Sequence, residues 1–292
     1  RAIMKYLFLS IVFIVMSIQD CIAVYIPKQI RISMNDINGG MFFNENNDDF
    51  YINGFAVDSL ENFFFCGGKE VHYISCFSKD KKQFSEKLSF LSFGPMFLKD
   101  GCLYFYTVNN GDNILKEYAI KSTSISLTRD IEIMSVKKMN SIFFTDTAFI
   151  IELLEVEKIS GMVHLKSKYQ LFDLSCQYQC DVENLYNLPQ SVFKEDGTQF
   201  IGMYQQYYVF SVLDSSTCKI FMRNQQGDIV ASQNLPLELL GTMLNSSYTG
   251  NPEEHKKISN GNLYILGNKQ KDLVITIFPL KDLFEGINIC KQ

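Results

Sequence analysis

Short runs of aromatic and aliphatic residues recur along this chain, and each is followed by a polar turn and a second apolar run. The clearest pairs of runs are 63–66 with 71–77, 102–108 with 114–120, 207–213 with 218–223, and 262–266 with 273–278. The segments between the two members of each pair are rich in Gly, Asn, Asp or Ser, which favour turns. The pattern therefore predicts a series of β-hairpins.

Some of these runs repeat at a regular spacing. The runs that begin at Asn62, Cys102 and Ile142 are 40 residues apart, and the run at Asn262 lies 160 residues beyond the second, which suggests four more steps. A repeat of about 40 residues that contains several strands is typical of the blades of a β-propeller. We interpret the run 207–210 as a further member, displaced by insertions at 184–197 and 245–257.

The unbroken apolar character of these runs indicates strands that are covered on both faces, as in radially packed sheets. The sequence therefore predicts an all-β fold, a five- or six-bladed β-propeller, as a single domain over residues 24–292. Residues 24–60 would supply a sixth blade or complete the last one. An aromatic-rich β-sandwich is the alternative, because short strands also recur closely there.

Three segments leave the strand pattern ambiguous or point to helix. Residues 147–157 fit either a helix capped by Asp146 or a buried strand. Segments 235–244 and 280–284 each predict a single helical turn. We expect the helical content to be small.

The N-terminus has the three parts of a secretory signal. A positive charge at Lys5 precedes an apolar stretch at 6–18, and a small residue, Ala23, follows it. The apolar stretch is shorter than the ~20 residues that a spanning helix needs. We predict a signal peptide over residues 1–23, with residues 1–3 as upstream leader sequence, and a secreted, extracellular protein without a membrane anchor.

Composition narrows the function classes. Of 292 residues, 47% are hydrophobic and 14% aromatic, which excludes a disordered chain, and the formal net charge is −5. The chain has no excess of positive charge to bind a phosphate backbone, so no nucleic-acid partner is predicted.

Cysteine parity depends on where the signal is cleaved. Cleavage after Ala23 leaves seven cysteines, whereas cleavage after Ser17 retains Cys21 and leaves eight, an even number that favours full pairing in an oxidising compartment. We expect disulfides and leave their connectivity open, with a bond between Cys21 and Cys290 as one option that would join the chain ends. The cysteines are Cys21, Cys66, Cys76, Cys102, Cys176, Cys180, Cys218 and Cys290. The pair Cys176 and Cys180 has the spacing of half a zinc site, but disulfides are the preferred interpretation.

The sequence offers one modification site and little catalytic chemistry. Asn245 begins an Asn-Ser-Ser sequon in a polar stretch and is predicted to be glycosylated. The known catalytic motifs for serine hydrolases, metalloproteases and phosphate-binding loops are missing from the sequence, so no catalytic residue is assigned. We interpret His72, His164 and His255 as structural or solvated, with His72 inside a strand and His255 in a polar loop.

Two loops rich in acidic and amide side chains, 35–38 and 44–49, are candidates for Ca²⁺ because oxygen ligands suit that ion. Neither fits the twelve-residue calcium loop, so we interpret them as solvated loops and assign no metal or cofactor site.

Three functions remain open. The first is a secreted binding protein, such as a venom- or saliva-type effector, that acts on a small ligand or an extracellular protein through a propeller face or channel. The second is a secreted hydrolase that uses carboxylates or Ca²⁺, which would require carboxylates to converge at the channel mouth. The third is an extracellular structural component, which would self-associate.

Overall fold

The structure of the chain is a computed structural model, and it consists almost entirely of strands. It describes residues 27–33, 36, 43–44, 49–68, 70–92, 96–109, 112–133, 139–144, 148–159, 162–173, 175, 177–182, 198–224, 226–243, 255–270 and 272–284. The strands are β1 (Lys28–Ile32), β2 (Phe43–Asn44), β3 (Asp49–Phe50), β4 (Ile52–Val57), β5 (Asn62–Gly67), β6 (Tyr73–Ser78), β7 (Lys81–Lys87), β8 (Met96–Lys99), β9 (Cys102–Asn109), β10 (Asp112–Ile120), β11 (Ile125–Glu132), β12 (Met139–Phe144), β13 (Ala148–Ile159), β14 (Met162–Asp173), β15 (Tyr178–Val182), β16 (Thr198–Tyr204), β17 (Tyr207–Leu213), β18 (Thr217–Arg223), β19 (Ile229–Pro236), β20 (Thr242–Met243), β21 (Lys256–Ser259), β22 (Asn262–Lys269) and β23 (Asp272–Pro279). The two short helices are α1 (Leu237–Leu240) and α2 (Leu280–Phe284).

These strands form a five-blade β-propeller, as the sequence pattern predicts. Blades 1 to 4 are the antiparallel sheets β4–β7, β8–β11, β12–β15 and β16–β19, each built in chain order from its innermost to its outermost strand. Blade 5 combines β20 to β23 with the first strand of the chain, β1. Strands β2 and β3 form a separate pair in the connection from β1 to blade 1.

The ring is closed by β1, which is the outermost strand of blade 5. Its five residues pair with β23 from Lys28 opposite Ile277 to Ile32 opposite Leu273. At the other edge of this blade, β21 and β20 pair with successive parts of β22 and together take the innermost position. Of the described residues between 24 and 60, β1 therefore completes the last blade and β4 begins blade 1.

The core lies between blades, because the second strand of each blade is covered on both faces. In β5, Phe63 and Phe65 belong to the cluster shared with blade 5, whereas Phe64 belongs to the cluster shared with blade 2. In β22, Leu263 packs toward blade 4 and Tyr264 toward blade 1. Alternating side chains on one strand thus serve two neighbouring blades.

The structure corrects the 40-residue repeat while confirming the hairpins. Residues 142–144 lie in β12, an innermost strand, whereas the runs at 62 and 102 are second strands; the true equivalent in blade 3 starts at Phe149. The 160 residues from Cys102 to Asn262 span three blades, not four, because blades 3 and 4 and the connections between blades are longer. The equal spacing was partly coincidental.

The ambiguous segments are resolved by pairing. Residues 148–159 form β13, which pairs along its whole length with β14, so the buried strand replaces the helix there. The helical turns at 235–244 and 280–284 are present as α1 and α2. The hairpin turns Asp100-Gly101 and Asn260-Gly261 have positive φ at both residues, which is the type I′ geometry.

Ring closure gives a direct stability prediction. Ile32 is fully buried in the cluster between blades 5 and 1, whereas its neighbour Arg31 is exposed. We expect Ile32→Ala to lower the free energy of unfolding by about 2–4 kcal/mol, because it leaves a cavity in the seam that joins the chain ends. Chemical denaturation checks the value, with Arg31→Ala as the matched control; equal effects of the two substitutions would contradict this role of β1.

Candidate binding face and channel mouth

The antiparallel order of each blade gives the ring two different faces. Every innermost strand begins, and every outermost strand ends, at the face where the chain passes from blade to blade; we call it the loop face. The opposite face, here the turn face, carries the hairpins between first and second strands and between third and fourth strands. Its hairpins are tight turns such as Asp100-Gly101, Gln205-Gln206 and Lys79-Asp80.

The connections from one blade to the next begin and end at the loop face. They are residues 33–51, 88–95, 133–138, 183–197 and 237–255, which the structure describes only in part. Long loops on a rigid scaffold are where binding residues concentrate, because loop sequence varies without disturbing the core. The loop face and the channel mouth that opens on it are therefore the candidate functional region.

A buried lysine lies at this mouth. Lys256, at the start of innermost strand β21, is 1% exposed, and its Nζ donates to Gln199 Oε1 at 2.7 Å. Gln199 lies near the start of β16, the innermost strand of blade 4, and its Oε1 also accepts from Ser211 Oγ at 3.4 Å. The contact joins blades 4 and 5 through their innermost strands. Sequence reasoning missed both residues, because a lysine after a polar stretch gives no sign of burial.

His255 joins blades 5 and 1 beside this lysine. The side chain is fully buried, and its Nε2 donates to the carbonyl oxygen of Ile52 in β4 at 2.9 Å. Of the two roles expected for His255, structural or solvated, the structure shows the structural one, because the chain turns inward here to start blade 5. His255 therefore links blades 5 and 1 at their inner strands, whereas β1 closes the ring at the outer edge of blade 5.

His72 fastens the connection from blade 1 to blade 2. It lies just before β6, not within the strand as predicted, and it is buried. The backbone N–H of Ser92 donates to its Nδ1 at 2.9 Å, and its Nε2 lies 3.3 Å from Asn53 Nδ2. The His72 carbonyl accepts from the N–H of Leu88 at 2.8 Å. Burial lowers the pKa of His72, and a second ring proton would face the Ser92 N–H.

Asn53 is positioned by a β-bulge. The register of β4 against β5 shifts between Ile52 and Gly54, so Asn53 is the extra residue on the innermost strand. Its Nδ2 also donates to the Ser92 carbonyl at 3.4 Å. The bulge thus aims this side chain at the connection between blades, so Asn53 supports the loop face from below.

Blade 4 presents an aromatic face with cations stacked on it. Phe200 on the innermost strand lies 5.4 Å from Phe210, ring centre to ring centre, and Phe210 stacks on Phe221 at 5.5 Å. The Arg223 guanidinium is 5.3 Å from the Phe221 ring, within the range of a cation–π contact. Arg223 itself is almost completely buried.

The charged residues of the innermost strands are all basic. Strands β4, β8, β12, β16, β20 and β21 contain Lys99, Lys256 and Lys257 but neither Asp nor Glu. Across the described ranges, no three His, Cys, Asp or Glu side chains come together as a set that could hold a metal ion. The calcium candidates at 35–38 and 44–49 lie largely outside the described residues, as does the side chain of His164.

The described cysteines do not pair with one another. Cys76, Cys102, Cys180 and Cys218 have free thiols, and Cys66 is buried in the interface between blades 1 and 2. Burial, with help from the charge of Asp58, raises the pKa of Cys76 to about 12, and burial raises the pKa of Cys218. Thiols in such sites are weak nucleophiles. The predicted disulfides among these five residues are therefore not found.

Other predicted features lie outside the part of the chain that the structure describes. These are the signal peptide over residues 1–23, Cys21, Cys176, Cys290 and the sequon at Asn245. Neither described helix has the length and apolar character needed to cross a bilayer.

Comparison with known proteins shows fold similarity alone. No protein-family model matches the chain, and no curated protein matches it in sequence. Among solved structures, BamB from Moraxella catarrhalis is 11% identical, with a TM-score of 0.41 over 79% of this chain and 86% of that one. The PQQ-bound aldose sugar dehydrogenase from Streptomyces coelicolor is 9% identical, with a TM-score of 0.47 over 86% and 99%. A luciferin-regenerating enzyme is 9% identical, with a TM-score of 0.41 over 87% and 96%.

These similarities are too distant to transfer chemistry, and the assignment rests on the five sheets of the chain itself. The protein is a five-blade β-propeller.

The buried His72 predicts a pH dependence of stability. Its pKa is lowered in the folded protein, so the unfolded chain binds a proton that the folded chain resists once the pH falls below about 6.5. The free energy of unfolding should fall between pH 6.5 and 5 by up to about 1.4 kcal/mol per pH unit, and His72→Gln should flatten that slope. Denaturation at several pH values tests this, since parallel profiles for the two proteins would exclude the effect.

Proposed function

We propose that this protein is a secreted binding protein that recognises an extracellular protein or a small ligand through the loop face of its propeller. The composition of the innermost strands carries this choice, since these strands contain lysine, amide and aromatic residues and lack carboxylates. A carboxylate hydrolase would need acidic groups there to share or transfer protons.

The proposal extends to the route and covalent chemistry of the chain. We infer that the apolar N-terminal segment directs secretion and that Asn245 carries a glycan. We also infer that the signal is cleaved after Ser17, which retains Cys21, and that Cys21 bonds to Cys290. The positions of β1 and α2 support the last pairing: β1 begins, and β23 leads into α2, at the same edge of blade 5. Six residues separate Cys21 from the start of β1, and five separate the end of α2 from Cys290, so each side has a reach of about 20 Å if extended.

Expression of the full chain in a eukaryotic secretory host tests this route. We expect the protein in the medium, and we expect Asn245→Gln to abolish the mobility shift produced by glycosidase treatment. Asn251→Gln is the matched control, because Asn251 lies in the same polar stretch but Pro252 follows it and no sequon exists there. Intact mass before and after reduction should differ by the two hydrogens of one disulfide, and Cys290→Ser should remove that difference. Retention of an unprocessed chain inside the cell would contradict the proposal.

Substitutions at two exposed aliphatic residues, one on each face of the ring, test binding through the loop face. Leu213 ends β17 at the loop face, and Ile229 begins β19 at the turn face. The purified secreted protein is crosslinked in blood serum to capture candidate partners. Each captured serum protein is then titrated with the propeller, and the affinity per binding site is measured. We expect Leu213→Glu to weaken the per-site affinity of a true partner at least about tenfold, and Ile229→Glu to leave it unchanged.

Two outcomes of this titration would contradict binding through the loop face. One is that no serum protein or serum metabolite binds with measurable affinity, and the other is that both substitutions weaken binding equally. A hydrolase would instead be revealed by turnover of the bound species.

A further inference from the structure

Two buried polar atoms at the joint between blades 1 and 2 have no hydrogen-bond partner within the protein. They are the side-chain oxygen of Asn53, Oδ1, and the hydroxyl oxygen of Ser92, Oγ. Asn53 is 2% exposed and Ser92 is completely buried, so bulk solvent does not reach either side chain. A polar group that is buried without a partner costs stability, and almost all such groups in folded proteins are bonded.

The main chain around these two atoms is already fixed by hydrogen bonds to both blades. On the side of blade 2, Thr107 Oγ1 donates to the Leu91 carbonyl at 2.8 Å. On the side of blade 1, the Leu88 N–H donates to the His72 carbonyl at 2.8 Å, and the Ser92 N–H donates to His72 Nδ1 at 2.9 Å. The connection therefore cannot turn outward to bring the Ser92 hydroxyl to solvent without breaking these bonds.

The Asn53 amide has one group left over whichever way it is turned. In the orientation described, Nδ2 donates to the Ser92 carbonyl at 3.4 Å and lies 3.3 Å from His72 Nε2, which leaves Oδ1 without a donor. Rotation of the amide by half a turn would place Oδ1 against the same two groups and would leave Nδ2 without an acceptor. A further partner is needed in both cases.

The surroundings of the site favour a neutral partner. The Asn53 and Ser92 side chains are uncharged, and both residues are bonded to each other and to His72. Burial alone lowers the pKa of His72, which indicates that no charged side chain of the described residues lies close enough to affect it. A buried ion would therefore lack a counter-charge, at a high cost of desolvation. Water is neutral and small, and it both donates and accepts hydrogen bonds.

We propose that one buried water molecule is bound between Asn53 and Ser92 and completes the joint between blades 1 and 2. The bond from Asn53 Nδ2 to the Ser92 carbonyl holds the two residues in contact, so one molecule can reach both remaining atoms. The water donates to Asn53 Oδ1 and bonds to the Ser92 hydroxyl. It thereby links the bulge of innermost strand β4 to the connection that leads into blade 2. The site is independent of the ligand proposed above, because it is closed to solvent.

A crystal structure of the secreted protein, at a resolution that shows ordered water, tests the site in the unaltered chain. We expect a density peak about 2.6–3.2 Å from both Asn53 Oδ1 and Ser92 Oγ. A joint without this peak would overturn the proposal, as would a direct bond from either atom to another protein group.

The Ser92→Ala variant tests the same site in solution. Loss of a water-bonded hydroxyl should lower the folding equilibrium constant about three- to tenfold, whereas removal of an unpartnered hydroxyl would raise it. Magnetic relaxation dispersion of water should also count one long-lived water fewer. Ser75→Ala is the matched control for that count, since Ser75 is equally buried in blade 1 but its Oγ already bonds to Ser85 Oγ at 2.8 Å.

Two results in solution would contradict the bound water. One is a gain in stability in Ser92→Ala, and the other is an unchanged number of long-lived waters in that variant. If Ser92→Ala does not fold, the crystal structure of the unaltered chain decides the question alone.

Discussion

The fold depends on one packing constraint: the second strand of each blade is apolar on both faces and must be covered from both sides. A four-stranded sheet with Phe64 on one face and Phe65 on the other is not stable alone, so every blade needs two neighbours. A ring is the arrangement in which no blade lacks one. The seam between blades 5 and 1 must therefore be held firmly, and β1 outside, Gln29 on the Leu239 carbonyl and His255 inside all contribute to it.

The features of this fold that depend on short stretches of sequence could be predicted, and those that depend on contacts between blades could not. The hairpins and their unbroken apolar runs could be predicted, because strands that are buried on both faces are apolar along their length. The position of a strand within its blade could not be predicted from the sequence. For that reason the run at Ile142 was grouped with second strands, although it lies in an innermost strand. Lys256 and His255 are buried because blade 5 meets blades 4 and 1. Their partners, Gln199 and Ile52, are 57 and 203 positions away along the chain, so the local sequence carries no signal of these contacts.

Buried thiols and a secretory route are compatible in this fold. Disulfides form where thiolates are available, and the raised pKa values of Cys76 and Cys218 keep those groups protonated and out of reach between blades. Packing between blades supplies the stability that small secreted domains obtain from disulfides, because a chain of this size has a sufficient core. The one bond that would add a constraint the packing lacks is a link between the chain ends, at the seam where the ring closes.

The two faces of the ring are free to take different roles because the core between the blades is independent of both. Substitutions in the connections between blades change what the loop face presents, whereas the second strands keep their packing partners in the neighbouring blades. Stability and recognition therefore depend on different parts of the chain. The apolar second strands hold the ring together, and the connections between blades can vary in sequence without opening the contacts that involve residues such as Phe64 and Phe65.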